Sequence, residues 1–255
     1  KLVIGFLLGL EVRGLYDTAH RFAQMPTGAI TLAIVGITGA VYARYQDNRD
    51  QLSAAYRRTL RLILRTTVPI SCILALEAPR WIAISRPEYV SAAPILQWLI
   101  VYSLCRPILD DVHALLYGVG APKSIAGFTG VQAIVLLILA PLLTQKMGIW
   151  GTALSMNITA GIGLILALWI ARRYVEVPIF KTFLPPLISA AVGLGVRQLA
   201  DPWIASLSAL TGFFCGGMLF SFGYGITLLA LERKTIVNEL QTVWQATKGS
   251  APTPP

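Results

Sequence analysis

The 255-residue chain is 55% hydrophobic and only 13% charged, with a mean hydropathy of +0.66, whereas soluble domains carry roughly a quarter charged residues. Apolar stretches of near-bilayer length run almost from end to end, more than one water-soluble core can hide, so water is excluded as the main solvent. The formal charge of +9 points to an anionic membrane surface, because no Lys/Arg stripe interleaved with aromatics marks a nucleic-acid groove.

Eight apolar segments are expected: residues 1 to 10, 15 to 45, 62 to 84, 92 to 118, 124 to 143, 148 to 171, 183 to 200 and 205 to 231. The first is shorter than the about 20 residues a span needs. It opens at Lys1 without Met or signal-peptide layout, and is expected to be the end of a helix cut upstream. The second is overlong, contains Pro26, and should tilt, kink or protrude. Between it and the third, Leu52, Ala55, Tyr56, Leu60, Ile63 and Leu64 recur at helical spacing opposite Arg57, Arg58, Arg61 and Arg65. That pattern predicts a basic helix lying on the inner leaflet. The tail repeats it with Ile236, Leu240, Val243 and Trp244, then runs from Lys248 to Pro255 in a composition with nothing to bury. The fold expected is all-α: a polytopic transmembrane helix bundle of about seven full spans plus one partial over residues 1–231, followed by a cytoplasmic amphipathic segment and disordered tail over 232–255.

Loop charge sets the orientation. Thirteen positives (Arg44, Arg49, Arg57, Arg58, Arg61, Arg65, Lys123, Arg172, Arg173, Lys181, Arg233, Lys234 and Lys248) fall in one set of alternate loops and the tail, and only four (Arg13, Arg80, Arg86 and Lys146) in the other. The first set, with the C-terminus, is therefore expected in the cytoplasm. Cys72, Cys105 and Cys215 are widely spaced and read as small buried hydrophobes. No GxGxxG, P-loop, GxSxG or HExxH occurs, and His20 and His113 are the only histidines. Catalysis, a metal site and a cofactor are not expected.

The informative residues are polar groups at membrane depth, which cost about 2.5–3.5 kcal/mol each on insertion scales. Arg13, Asp17, His20, Arg21 and Gln24 share one face of the second segment, and Arg106, Asp110, His113 and Tyr117 share one face of the fourth, where Pro107 weakens the backbone ladder and is expected to give the helix a place to bend. Asp111 sits about 100° around from Asp110. Two readings stand. One takes Arg13 with Asp17, Asp17 with Arg21, and Arg106 with Asp110 as structural i,i+4 pairs. The other takes Arg106, Arg21 and Arg13 as a cation-lined cavity for a pyrophosphate, with Asp110, Asp111, His113, Asp17 and His20 as candidates for loading a coupling ion. Gln132, Asn157 and Arg197 are weaker candidates, more in keeping with helix–helix contacts or a snorkelling end.

A family resemblance accompanies these residues. Ile4-Gly5-Phe6-Leu7-Leu8-Gly9 followed by Gly14-Leu15-Tyr16-Asp17-Thr18-Ala19-His20-Arg21 resembles the IGxxLG…GxYxxAxR opening of a helix pair in polysaccharide flippases of the multidrug/oligosaccharidyl-lipid/polysaccharide exporter superfamily. Tyr56-Arg57-Arg58, the run from Glu88 to Leu96, and Leu116-Tyr117-Gly118-Val119-Gly120-Ala121-Pro122-Lys123 are similar to later landmarks, with Arg86 or Pro87 where a glycine is usual. The resemblance covers about residues 1 to 175, and the last two helices only by hydropathy. It implies two lobes of about six helices around an alternately opening cavity, of which this chain supplies the C-terminal lobe and its N-terminal lobe is a missing partner. It further implies a non-enzymatic flippase for undecaprenyl-pyrophosphate-linked oligosaccharide in the bacterial inner membrane, serving O-antigen, capsule or exopolysaccharide assembly beside polymerase and chain-length machinery. A multidrug or lipid II exporter of the same superfamily is the alternative, and a membrane polysaccharide polymerase or ligase a more distant one.

Overall fold

The structure is a computed structural model that describes residues 2–247, leaving aside the side chains of residues 2–4, 26, 29, 30, 32, 35, 234 and 239–247. The expected effect of Pro26, the tail residues Leu240, Val243 and Trp244, and the stretch 248–255 lie outside the described residues. In chain order the helices are α1 (Leu2–Leu8), α2 (Leu10–Arg44), α3 (Arg49–Leu76) and α4 (Ala78–Ser85), a 3-10 turn (Pro87–Ala92), then α5 (Ala93–Trp98) and α6 (Ile100–Gly118). They continue as α7 (Pro122–Met147), α8 (Ile149–Ala171), α9 (Ile179–Leu199), α10 (Asp201–Ala205) and α11 (Ala209–Thr247).

The boundaries have local causes. Gly9, at φ 90°, separates α1 from α2, and Gly148, at φ 60°, turns α7 into α8; both lie in the region that a side chain disfavours. Asn48 caps α3 by accepting from the Gln51 N–H at 3.1 Å. α11 leaves helical geometry at Glu232, where φ is −115° and ψ 18°.

Among the described residues α3, α7, α8, α9 and the part of α11 from Ala209 to Arg233 are each long and apolar enough to cross a membrane, and the α5–α6 pair makes a sixth span if counted as one. α2, with 35 residues, is about 52 Å long at 1.5 Å per residue, well over the roughly 30 Å hydrocarbon core. The chain is a multi-pass membrane protein built from helices.

Two expectations need correction. The basic amphipathic stretch after α2 is not a separate helix on the inner leaflet: it is the first half of α3, continuous to Leu76. Its apolar side, Leu52, Tyr56, Leu60, Ile63 and Leu64, is buried in the main core with Tyr42, Val112, Leu115 and Phe128. The amphipathic signal was real, but the protein rather than the lipid covers the apolar face. The fourth segment does bend, though not at Pro107, which is buried inside α6. The 60° break falls between α5 and α6, at Leu99.

Packing places α2 against α6, α6 against α8, α7 against α8, and α3 and α11 against α9. Lipid tails are as apolar as leucine, so such contacts depend on shape and on polar pairing across helices more than on solvent exclusion. Cross-bonds tie α2 to α6: among them Gln24 Nε2 donates to Tyr102 Oη at 2.7 Å, Ser103 Oγ to the Ala23 carbonyl at 2.5 Å, and Tyr42 Oη to Asp111 Oδ1 at 2.8 Å.

Candidate functional site

Because α2 and α6 lie side by side, their polar stripes meet. Arg21, Gln24, Thr27 and Thr31 of α2 face Arg106 and Asp110 of α6 across a cavity of about 480 Å³. Arg106 Nε donates to Asp110 Oδ2 at 3.2 Å, with half of the arginine side chain exposed. Nδ1 of His113 lies 3.8 Å from the same carboxylate. Arg21 is exposed and forms no ion pair among the described residues. Its guanidinium and that of Arg106 therefore border one open space, with enough free donors between them for an anion with several oxygens.

The other candidates fall around this centre. Asp17 shares a second cavity, about 440 Å³, with Arg21, Arg86 and Tyr89, and forms the i,i+4 pair with Arg13 at 3.6 Å. Arg86 is a basic neighbour that the helical periodicity of α2 and α6 could not reveal, since it sits in the turn after α4. His20 is buried, its ring stacked 5.8 Å from Tyr16 and tilted 5.3 Å from Tyr102, and lines neither cavity. Asp111 is 0% exposed. It points into the core toward Tyr42, so adjacent aspartates have opposite settings: Asp110 in the cavity and Asp111 in the packing between α2, α3 and α6. His113 turns to a third pocket, between α6, α7 and α8, with its ring stacked 5.1 Å from Phe128.

A second group of charges was missed because its members are distant in sequence. Glu77, 1% exposed, follows the last turn of α3. Its Oε1 accepts from Arg197 Nε of α9 at 2.6 Å and its Oε2 from Arg80 of α4 at 2.7 Å. Arg197 also donates to Asp201 of α10 at 2.6 Å, and holds the Asp201 carboxyl below its usual range through that hydrogen bond and its charge. Gly216 of α11 closes over this group: a Cβ there would run into the Glu77 carboxylate and the Arg197 guanidinium. In the middle of α3, Arg65 Nε meets Glu232 Oε2 at 2.7 Å. Arg197 is thus helix–helix glue, as is Asn157. The Asn157 Nδ2 donates to the Trp98 carbonyl at 2.6 Å and its Oδ1 accepts from the Tyr102 N–H at 3.0 Å. Those two backbone groups are four residues apart, the spacing of one helical hydrogen bond, so the amide from α8 stands in the gap at the α5–α6 break.

Both cavities lie between long helices of a multi-pass membrane protein. Comparison with known proteins narrows the class. Residues 1–85 match the family model described as "Polysaccharide biosynthesis protein", a stretch that includes the Gly14 to Arg21 and Tyr56-Arg57-Arg58 landmarks. The chain is 22% identical over 244 residues to the succinoglycan biosynthesis transport protein ExoT of Rhizobium meliloti (strain 1021), covering 92% of this chain and 49% of that protein. Its fold resembles the lipid II flippase MurJ in an inward closed conformation, with a TM-score of 0.79 at 18% identity, over 92% of this chain and 50% of that one. The chain spans about half the length of each. The sequence likeness to polysaccharide biosynthesis and transport proteins is therefore in line with the landmarks, and the helical fold expected from them is met by the likeness to MurJ.

Proposed function

We propose that the chain forms one half of the translocation path of a flippase that moves undecaprenyl-pyrophosphate-linked oligosaccharide across the bacterial inner membrane for polysaccharide assembly. The observation that carries this reading is the convergence of Arg21 and Arg106, from different helices, with Asp110 on one cavity. A diphosphate offers clustered oxygens that two guanidinium forks can grip bidentately. Asp110 already accepts from Arg106, so an arriving diphosphate competes with it for that arginine. The released carboxylate, with His113 beside it, then takes up a proton or cation, which links cargo binding to a coupling ion. Arg13 and Asp17 border the same path through Arg21, while His20 and Asp111 hold α2 and α6 together beneath it. The work is binding and reorientation, without catalysis.

The names of the two relatives, a transport protein of succinoglycan biosynthesis and a lipid II flippase, support transport in polysaccharide assembly. The rest of the path belongs to a second lobe, and polymerase and chain-length machinery would act on the delivered cargo. The loop-charge bias supports a cytoplasmic C-terminus: a cysteine placed at Asn48 is expected to stay unreactive to an impermeant reagent in intact cells, and labelling from outside reverses the orientation. The fold likeness also favours one second reading, export of lipid II, which competition between the two lipids for binding separates.

In the full-length protein, Arg106→Gln should weaken binding of an undecaprenyl-diphosphate lipid about tenfold, the loss of roughly one charge-assisted hydrogen bond. Asp110→Asn should slow flipping, with insertion and melting unchanged. Normal flipping per molecule by both variants overturns the reading.

A further inference from the structure

We infer that the pocket between α6, α7 and α8 receives the first sugar of the lipid-linked cargo, an inference that rests on the diphosphate reading of the neighbouring cavity. The pocket has a volume of about 240 Å³, and its polar lining is Tyr102, Arg106, His113, Thr129, Gln132 and Thr159. Arg106 lines both spaces. A diphosphate held by Arg106 in the first therefore has its sugar-bearing oxygen at the doorway of the second.

The chemistry of the lining selects a polyol. Thr159 is 7% exposed, and its Oγ1 and the Nε2 of His113 are buried without a hydrogen-bond partner among the described residues. Buried polar atoms are almost always paired, and an unpaired one calls for a ligand group. Threonine and tyrosine hydroxyls and a glutamine amide each offer both donor and acceptor capacity, which is what sugar hydroxyls need. No carboxylate lines the pocket, which disfavours a cation. A second anion would find only Arg106, already engaged by the diphosphate. Leu109, Ala133, Leu136, Met156 and Ala160 complete the lining and suit the carbon face of a sugar ring, whereas an isoprenoid tail would cover the Thr159 hydroxyl and His113 Nε2 without pairing them. The His113 ring is fixed by its stack on Phe128, with 13° between the planes, so its nitrogen is held in one orientation rather than swinging into lipid.

The test compares two probes on the full-length protein: undecaprenyl diphosphate alone and undecaprenyl diphosphate bearing a single hexose. Wild-type protein should bind the hexose form about tenfold more tightly, roughly one to two added hydrogen bonds. Thr159→Val, which keeps the side-chain shape, and Gln132→Leu should each erase most of that preference and leave affinity for the bare diphosphate unchanged. A preference that persists in both variants overturns the sugar pocket while the diphosphate reading stands. Equal loss for both probes also overturns it, since the pocket would then serve the diphosphate or the packing. If wild-type protein binds neither probe, the diphosphate reading falls and the sugar pocket with it. Should Gln132→Leu fail to fold, the Thr159→Val ratio decides alone.

Discussion

Glu77 and Asp110 are both carboxylates set among apolar helices, yet their surroundings differ in every respect that matters energetically. Around Glu77 the partners come from two other helices, approach to 2.6–2.7 Å, and leave 1% of the carboxylate side chain exposed. Around Asp110 the partners come from its own helix, stand 3.2 and 3.8 Å away, and border open space. A charge that is enclosed and saturated holds elements together, because removing either member strands the other in a medium that cannot solvate it. A charge that is loosely held beside a cavity costs little to rearrange, and an incoming ligand can displace its partner. The same residue types thus serve as fastener in one place and as exchangeable contact in the other.

The largest effect expected from this contrast is at Glu77. Glu77→Leu removes the buried carboxylate that Arg197 and Arg80 share, leaving them only Asp201 and the Ile204 carbonyl at the edge of the group, and should lower the unfolding free energy by about 3 kcal/mol, read as a marked drop in melting temperature of the purified protein; wild-type melting would break the contrast at its strongest point. Asn157→Leu should come next, at about 1–3 kcal/mol for unpaired backbone groups at Trp98 and Tyr102. Arg106→Gln should cost at most about 1 kcal/mol, since the side chain is half exposed, while ligand binding suffers. If its melting falls as far as that of Glu77→Leu, the cavity charges are fasteners too. The smallest effect is at Asp201. Its carboxyl is held below the ordinary range by Arg197, so its stabilising contribution is present above that range and fades as pH falls through the lowered value. The melting temperatures of wild-type and Asp201→Asn protein should therefore differ at neutral pH and converge as the medium becomes strongly acidic.

How far these features were legible in sequence follows from their range. Hydropathy located α7 and α8 to within a few residues, since that signal is local. The stripes on α2 and α6 were legible because four residues return a helix to the same face, and their juxtaposition then needed only that the helices be neighbours. The amphipathic half of α3 was misassigned because periodicity reports that a face is covered without reporting by what: here Tyr42 and Val112 cover it in place of lipid. Proline marks weakness in a helix, but Pro107 is packed inside α6 and the break occurs where Asn157 can receive the freed groups. Arg197 was visible as a buried charge, whereas its partner Glu77, in another helix of the bundle, was beyond any periodicity.

The amide of Asn157 has a further consequence. A helix that breaks normally loses its internal bond and gains nothing, which makes the straight form the resting one. At Leu99 one severed bond is replaced by a graft: a side-chain amide from α8 is spliced between the Trp98 carbonyl and the Tyr102 N–H, so the bent form keeps that pair of backbone groups bonded. The direction in which α6 leaves the joint is then set by where α8 holds that amide. α8 becomes a tiller for the helix that carries Arg106 and Asp110, and a slide of α8 along α6 would steer both residues without touching either.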